Sequence, residues 1–253
     1  MSDWDDRQYL KFADERTRPA HELLARVPLA SAERVVDMGC GPGNSTTLLA
    51  ARFPEAKVVG VDSSSEMLAR ARRDHPMLEW VECDLRRYRP ERPLDLLFAN
   101  AVMHWLPEHA TLFPSLLDLV RPGGVIAVQM PRNFEEPSHR LMREIPGPFA
   151  RRLQHVRALT PVQSAAYYYD LLAPLCSHVD IWQTTYEHVM DDVNAIVEWV
   201  RGTGLRPYLD ALTPAEQGVY LEAYTAALDD AYPARTDKKR LFTFPRLFFV
   251  ATR

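Results

Sequence analysis

Three glycines spaced two residues apart, Gly39, Gly41 and Gly43, follow the apolar pair Val35–Val36. Glycine has no Cβ, so a turn built from it bends tightly and lets the backbone pass close to a ligand. A helix that begins after the turn directs free N–H groups at whatever lies above it. A dinucleotide site has the spacing G-x-G-x-x-G and holds a pyrophosphate there, whereas residue 44 is Asn. The pattern therefore favours a nucleoside ligand without phosphate, such as S-adenosylmethionine.

Polar side chains follow four successive apolar runs of the same region. Asp37 ends the first run, and Asp62 ends the second. Asp62 lies about 20 residues after Gly43, which is the spacing of a ribose-binding acid from a glycine turn. Asp84 and Asn100 end the third and fourth runs. Because ligands of open parallel sheets bind beyond the carboxyl ends of the strands, we expect these residues to surround one ligand. Asp62 would accept hydrogen bonds from the ribose hydroxyls and Asp84 from the adenine amino group, with Leu85 on the ring.

Each of these residues also has a simpler interpretation. Asp62 directly precedes Ser63 and Ser64 and could serve only to start a helix, and Asp84 could be a turn residue. The glycine turn could bind phosphate, although no Lys-Ser or Lys-Thr pair follows it as in a P-loop. Cys40 is better explained as a small residue filling the turn than as a nucleophile.

The elements that must position these residues alternate between strand and helix. Strands separated by helices of 10–15 residues predict a parallel sheet with helices on both faces. Ser63–Glu66 matches a capping box with Ser63 as the N-cap, and Arg121–Gly124 predicts a turn that ends the third helix. The predicted strands are 34–38, 57–62, 79–83, 95–100 and 125–130. The predicted helices are 44–53, 64–73 and 107–120.

The alternation stops after Pro131. Residues 132–161 contain four prolines and six arginines, which exclude a continuous strand and disfavour a long helix. Beyond them we predict helices at 162–173, 192–201 and 214–231. Two late strands, 179–190 and 244–251, predict an antiparallel hairpin at the edge of the sheet. Residues 1–32 are predicted to be helical.

The composition limits the class of protein. The 253 residues suit one domain, and 47% of them are hydrophobic. A net charge of −4 argues against general nucleic-acid binding. No apolar run reaches the roughly 20 residues of a membrane span and the N-terminus lacks a signal-peptide pattern, so we expect a cytoplasmic protein without a membrane partner. The three cysteines form no metal-binding pattern, and we expect no metal ion.

Five segments together resemble the class I S-adenosylmethionine-dependent methyltransferases: VVDMGCGPGNST, VVGVDSSSEML, VECDL, LDLLFANAVMHWLP and LVRPGGVIAVQMP. The resemblance implies an α/β, Rossmann-like fold with a mostly parallel seven-stranded sheet, an antiparallel C-terminal edge strand and a helical substrate lid. It implies one domain, with a cofactor cap at 1–32, a core at 33–131 and a lid at 132–165 and 191–243. The implied cofactor-binding residues are Asp37, Gly39, Gly41, Asp62, Ser63, Met67, Asp84, Leu85, Asn100 and Arg16.

Within that superfamily, the outer segments MPRNFEEPSHRLMRE, VDIWQTTYEHVM, GLRPYL and FPRLFFVA resemble enzymes that esterify a carboxylate of trans-aconitate. Such an acceptor is already ionised at pH 7, so the resemblance implies no catalytic acid or base. Only four of the 30 basic residues are lysines, and arginine binds carboxylates through two parallel hydrogen bonds. The predicted substrate-binding residues are Arg132, Arg143, Arg206, Arg246, Tyr168, Tyr186, His188 and Trp105.

Two further pairs of residues are expected near the bound cofactor. His104 and Trp105 follow the fourth strand and should border the methyl-transfer space, although Trp105 could equally be core. Tyr9 and Arg16 could close over the cofactor, with Arg16 at its methionine carboxylate, or belong to an ordinary helix.

Other functions stay open from the sequence alone. One alternative is a methyltransferase that has the same cofactor-binding segments but acts on another small-molecule acceptor, since only the outer segments indicate the acceptor. A nicotinamide oxidoreductase is disfavoured by Asn44 in place of the third glycine of the dinucleotide pattern. A non-catalytic nucleoside-binding subunit would keep the same cofactor residues.

Overall fold

A computed structural model describes residues 13–145, 149–153, 156 and 162–253, excluding the side chains of 13–16 and 150. The chain forms two compact units. The first, here called the sheet unit, contains residues 16–131, 162–184 and 247–253. The second, the helical unit, contains the described parts of 132–161, 185–246 and the first 15 residues. Within the described residues, no helix is long and apolar enough to cross a membrane.

Five parallel strands of the sheet unit confirm the alternation expected from the sequence. Their central members are rich in valine and leucine and are buried, as in sheets covered on both faces. The strand order of the whole sheet is β3-β2-β1-β4-β5-β7-β6. The five strands are β1 (Arg34–Met38), β2 (Lys57–Asp62), β3 (Glu79–Glu82), β4 (Leu94–Asn100) and β5 (Val120–Pro131).

The last two strands, β6 (His178–Met190) and β7 (Arg240–Thr252), each extend from one unit into the other. β7 runs antiparallel to β5, because Gly123 N–H donates to the carbonyl of Arg253 and Arg132 N–H to that of Pro245. The predicted fold class is therefore confirmed, with one difference. The C-terminal strand lies one place inside the sheet, and β6 is the edge strand.

Except for the first, the helices of the sheet unit begin and end close to the predicted positions. They are α1 (Ala13–Ala25), which begins just before the sheet unit, α2 (Asn44–Arg52), α3 (Ser65–Asp74), α4 (His109–Leu117) and α7 (Ala165–Leu172), with a 3₁₀ turn at Met103–Trp105. Residues 1–32 were predicted to be helical, but residues 1–12 lie outside the described residues and the helix ends at Ala25.

Two local predictions in the sheet unit were wrong. The N-cap of α3 is Ser64, whose hydroxyl accepts from Met67 N–H, so the capping box expected from Ser63 and Glu66 does not form. The segment 121–124 does not end a helix, because α4 already ends at Leu117. It forms instead a bulge in β5, where the three residues 94–96 of β4 face the six residues 120–125 of β5.

The helical unit has its own core. Its helices are α5 (Pro137–Glu144), α6 (Ala150–Leu153), α8 (Val193–Arg201), α9 (Arg206–Asp210) and α10 (Pro214–Ala231). Thr213 and Glu216 form a complete capping box at the start of α10, and Asp192 caps α8. An aromatic cluster that includes Tyr220, Tyr224 and Phe242 fills the interior. The arrangement as one domain with a cap and a lid stays a prediction.

Candidate functional site

The glycine turn after β1 has one position that is open to a ligand. All three glycines have positive φ angles, of 70°, 54° and 100° in chain order. A Cβ on Gly39 would lie 2.3 Å from the side chain of Val102, and one on Gly43 would lie 2.6 Å from Trp80. A Cβ on Gly41 would meet no atom within 4 Å. Packing thus explains the first and third glycines, whereas the space above Gly41 fits an approaching ligand.

Asp62 joins the glycine turn to the start of α3. One carboxylate oxygen accepts from Gly41 N–H at 2.9 Å, and the other accepts from Ser64 N–H at 2.9 Å. Asp62 therefore also has the helix-starting role considered above. Each carboxylate oxygen can accept a further hydrogen bond, so a ribose diol remains compatible with this position.

Asp37 is fully buried beneath the glycine turn. One of its oxygens accepts from the hydroxyls of Ser45 and Thr46, both at 2.7 Å, and the other has no partner among the described residues. Burial raises its pKa from 3.8 to about 7, against the opposing effect of the two hydroxyls, and the nearby charge of Asp62 raises it further. Without exposed surface, Asp37 acts here by fixing the start of α2.

Asp84 has a partner that the sequence did not predict. Its carboxylate accepts from the backbone N–H of Arg86 and from the Arg86 guanidinium, which lowers its pKa to about 2. The neighbouring Leu85 is buried in the core of the sheet unit. Cys83, just before them, is half-buried, and its thiol donates to the Asp84 carbonyl.

The turn after β4 is strained and packs on the glycine turn. The side-chain oxygen of Asn100 is buried and has no partner among the described residues. Ala101 has φ 57°, which an L side chain rarely adopts and which recurs at functional sites. The next residue, Val102, is the one that Gly39 accommodates. The predicted ligand-binding turns of β1 and β4 are therefore in direct contact.

The 3₁₀ turn beyond Val102 carries His104 and Trp105. Their ring centroids are 4.9 Å apart, with His104 buried and Trp105 44% exposed. His109 lies at the start of α4, where its Nε2 bonds to the Met103 carbonyl and its Nδ1 to the Tyr168 hydroxyl at 2.7 Å. Tyr168 is fully buried in the core of the sheet unit, and its role as a substrate-binding residue stays a prediction.

Arg143, in the helical unit, is held by neutral groups. One of its terminal nitrogens donates to the carbonyls of Phe134 (2.8 Å) and His139 (3.2 Å), and the guanidinium lies 3.7 Å from the Phe134 ring centroid. The Glu135 carboxylate is 3.5 Å away and 77% exposed, which makes it a weak partner. The positive charge of Arg143 is therefore fixed in place but poorly neutralised.

The helical unit also contains four other predicted residues, Arg246, Tyr186, His188 and Arg206. Arg246 is 3% exposed, and its guanidinium lies 4.6 Å from the ring centroid of Phe244 and 5.8 Å from that of Tyr186. Tyr186 stacks on His188, with centroids 5.9 Å apart. Arg206 makes a long contact of 3.7 Å with Asp210, one turn along the same helix.

The remaining predicted residues are more peripheral. Arg132 is exposed, and its backbone N–H donates to the Pro245 carbonyl of β7. Ser63 is exposed and Met67 half-buried at the start of α3. Tyr9 and the side chain of Arg16 lie outside the described residues. Among the side chains that the structure describes, no group of three or more His, Cys, Asp or Glu could hold a metal ion.

The comparison with known proteins extends over the whole chain. The family described as "Methyltransferase domain" matches residues 35–124, which contain β1 from its second residue, the glycine turn and β2–β4. A trans-aconitate 2-methyltransferase of Azoarcus sp. is 66% identical over 253 residues and covers 100% of both chains. The chain belongs to the trans-aconitate 2-methyltransferase family.

Solved structures show the fold of this family member. The YcgJ protein of Bacillus subtilis aligns with a TM-score of 0.61 and 12% identity, covering 93% of this chain and 98% of that one. Phosphoethanolamine N-methyltransferase 2 of Haemonchus contortus, in complex with phosphomonomethylethanolamine and S-adenosylhomocysteine, aligns with a TM-score of 0.56 and 17% identity. The alignment covers 93% of this chain and about half, 52%, of that one.

Several residues that shape the site in this trans-aconitate 2-methyltransferase family member were missed from the sequence. Ser45 and Thr46 bind Asp37, Arg86 binds Asp84, and Phe134 supports Arg143. Ser45 and Thr46 lie in the first turn of the helix after the glycines, where hydroxyls that bind the acid at the end of the strand could have been expected. The contact of Arg143 with Phe134 spans nine residues and had no such local signal.

Proposed function

We propose that this protein is an S-adenosylmethionine-dependent carboxyl O-methyltransferase that forms the monomethyl ester of trans-aconitate or of a similar small polycarboxylate. One support is the 66% identity to a trans-aconitate 2-methyltransferase of Azoarcus sp.. The other is the guanidinium of Arg143, which is fixed in place but poorly neutralised. This guanidinium is the observation that favours an anionic methyl acceptor.

The sheet unit has the features needed to hold the cofactor. The open space at Gly41, the two remaining acceptor sites of Asp62 and the buried unpartnered oxygen of Asn100 suit a polar nucleoside without phosphate. When bound, S-adenosylmethionine supplies a methyl group already activated by a sulfonium. We assign Gly41 to backbone contact, Asp62 to the ribose and Asn100 to the amino-acid end.

The protein side chains are assigned to binding and orientation, with no proton transfer. A substrate carboxylate is ionised at pH 7 and attacks without a base. His109 is engaged between Met103 and Tyr168, and burial lowers its pKa. Its Nε2 must carry the proton, since the Met103 carbonyl can only accept, so Nδ1 accepts from the tyrosine hydroxyl. Alignment of the two reactants is worth about 7–11 kcal/mol in favourable systems, enough to make positioning the main source of rate.

We assign Arg143 to one substrate carboxylate and Arg206 and Arg246 to the others. Hydrogen bonds to charged groups are worth about 1.5–3 kcal/mol, so Arg143→Ala should raise KM for trans-aconitate by about tenfold to a hundredfold. KM for S-adenosylmethionine should not change. Arg140→Ala is the matched control, because Arg140 lies on the same helix and pairs with Glu144 one turn away.

The test is transfer of labelled methyl from S-adenosylmethionine to a panel of acids and neutral acceptors, with mass spectrometry of the product. Turnover of trans-aconitate to a monomethyl ester, slowed by Arg143→Ala and not by Arg140→Ala, is the expected result. Turnover of neutral acceptors without any of tricarboxylates would contradict the proposal. Action in the cytoplasm, without nucleic-acid or membrane partners, stays a prediction.

A further inference from the structure

Three buried tyrosines of the helical unit bind the backbone of α5, the helix that carries Arg143. The Tyr220 hydroxyl donates to the Met142 carbonyl at 2.9 Å, and the Tyr224 hydroxyl donates to the Ser138 carbonyl. The Tyr232 hydroxyl accepts from Ser138 N–H at 3.2 Å. All three rings are at most 5% exposed. We call Tyr220, Tyr224 and Tyr232 the tyrosine anchor.

The helix α5 depends on these contacts because it has little support of its own. It has eight residues, fewer than an isolated helix needs to be stable in water. Its N-cap residue Glu136 makes no side-chain cap, so Tyr232 takes the place of a cap at Ser138. At the other end residue 146 is proline, which has no N–H for the Met142 carbonyl, and Tyr220 provides the missing donor.

The position of the Arg143 guanidinium follows from the position of this backbone. One of its two carbonyl acceptors, that of His139, belongs to α5 itself. The ring of His139 is buried and bonded on both nitrogens, to Ser138 Oγ at 3.1 Å and Asn133 Nδ2 at 3.3 Å. Burial lowers the pKa of His139 to about 4, which keeps the ring neutral near pH 7. A shift of α5 would therefore move the guanidinium and its His139 acceptor relative to the Phe134 carbonyl, which lies outside the helix.

We propose that the tyrosine anchor is a positioning device for substrate binding: its hydroxyls hold α5 so that Arg143 meets a carboxylate of the acid in the correct place. This inference rests on the proposed function, because it takes Arg143 as a substrate-binding residue. Loss of an anchor hydroxyl leaves a buried backbone group without its partner and loosens the helix. A misplacement of about 1 Å at a binding group costs up to about a hundredfold in efficiency.

The experiment compares Tyr220→Phe, Tyr224→Phe and the double variant with the unaltered protein. We expect KM for trans-aconitate to rise about fivefold in each single variant and more than tenfold in the double one. The kcat and the calorimetric affinity for S-adenosylhomocysteine should stay within about twofold, since the sheet unit is untouched. Ile196→Val is the control, because it weakens the same aromatic and aliphatic core without altering a hydrogen bond of α5.

A double-mutant cycle separates positioning from a general loss of stability. In an Arg143→Ala background the tyrosine substitutions should no longer change KM, because the group that they position is absent. The inference is wrong if the tyrosine effects on KM persist undiminished in that background. It is also wrong if the tyrosine variants only lower the melting temperature, as Ile196→Val should. An Arg143→Ala variant with normal KM would instead refute the proposed role of Arg143, and with it this inference.

Discussion

Asp37 should make the stability of this protein fall as the pH rises toward neutrality. Its carboxyl group is fully buried with one unpartnered oxygen, and its pKa is raised from 3.8 to about 7. Between these values the folded protein retains a proton that the unfolded chain releases. The contribution of Asp37 to the free energy of unfolding is therefore highest below about pH 4. It falls between about pH 4 and pH 7 and is constant above about pH 7.

The size of the effect follows from the difference in pKa. A pKa higher by about three corresponds to about 4 kcal/mol in total, at about 1.4 kcal/mol for each pKa unit. Between pH 5 and pH 8, ionisation of Asp37 lowers the free energy of unfolding by about 2–3 kcal/mol. The variant Asp37→Asn keeps the shape of the side chain but cannot ionise, so it should lack this part of the pH dependence.

Urea unfolding at pH 5, 6, 7 and 8, without cofactor, measures the difference directly. The free energy of unfolding of the unaltered protein should fall by about 2–3 kcal/mol relative to that of Asp37→Asn over this range. Thr46→Val is an informative companion, since it removes a hydrogen bond that favours the ionised carboxylate and should move the transition to higher pH. Parallel pH profiles for the unaltered protein and Asp37→Asn would refute the reasoning.

Two further predictions concern the cofactor site. Gly41→Ala places a methyl group in open space at φ 54°, so it should cost only about 1–2 kcal/mol of stability but strongly lower the calorimetric affinity for S-adenosylhomocysteine. Gly39→Ala, whose methyl group collides with Val102, should lose more stability than Gly41→Ala. Equal losses of stability in thermal melts of the two variants would contradict the prediction. Asp84→Ala should weaken S-adenosylhomocysteine binding about tenfold. Arg86→Ala frees the Asp84 carboxylate and should leave this binding unchanged or make it tighter. Weaker binding in both variants would contradict the prediction and show that the ion pair itself is required.

Local sequence patterns determined most of the sheet unit. The strands β1 and β2 begin and end where they were predicted, because their valine runs need burial and the adjoining glycines and acids interrupt them. The glycine turn and Asp62 were recognised because their spacing is fixed by the backbone of one β-α-β unit. The late helix 214–231 was also predicted correctly, because its helical pattern is contained in one continuous segment.

The tertiary structure decided what depends on groups far apart in the chain or on a choice among equivalent neighbours. Among three consecutive serines, Ser64 became the N-cap because Asp62 binds its N–H and so sets its backbone. Tyr168 had a polar hydroxyl suited to a substrate, but His109, 59 residues away, binds it in the core. The three hydroxyls that hold α5 come from residues 78 to 94 positions away, because a short helix without caps must find its hydrogen-bond partners wherever the fold brings them.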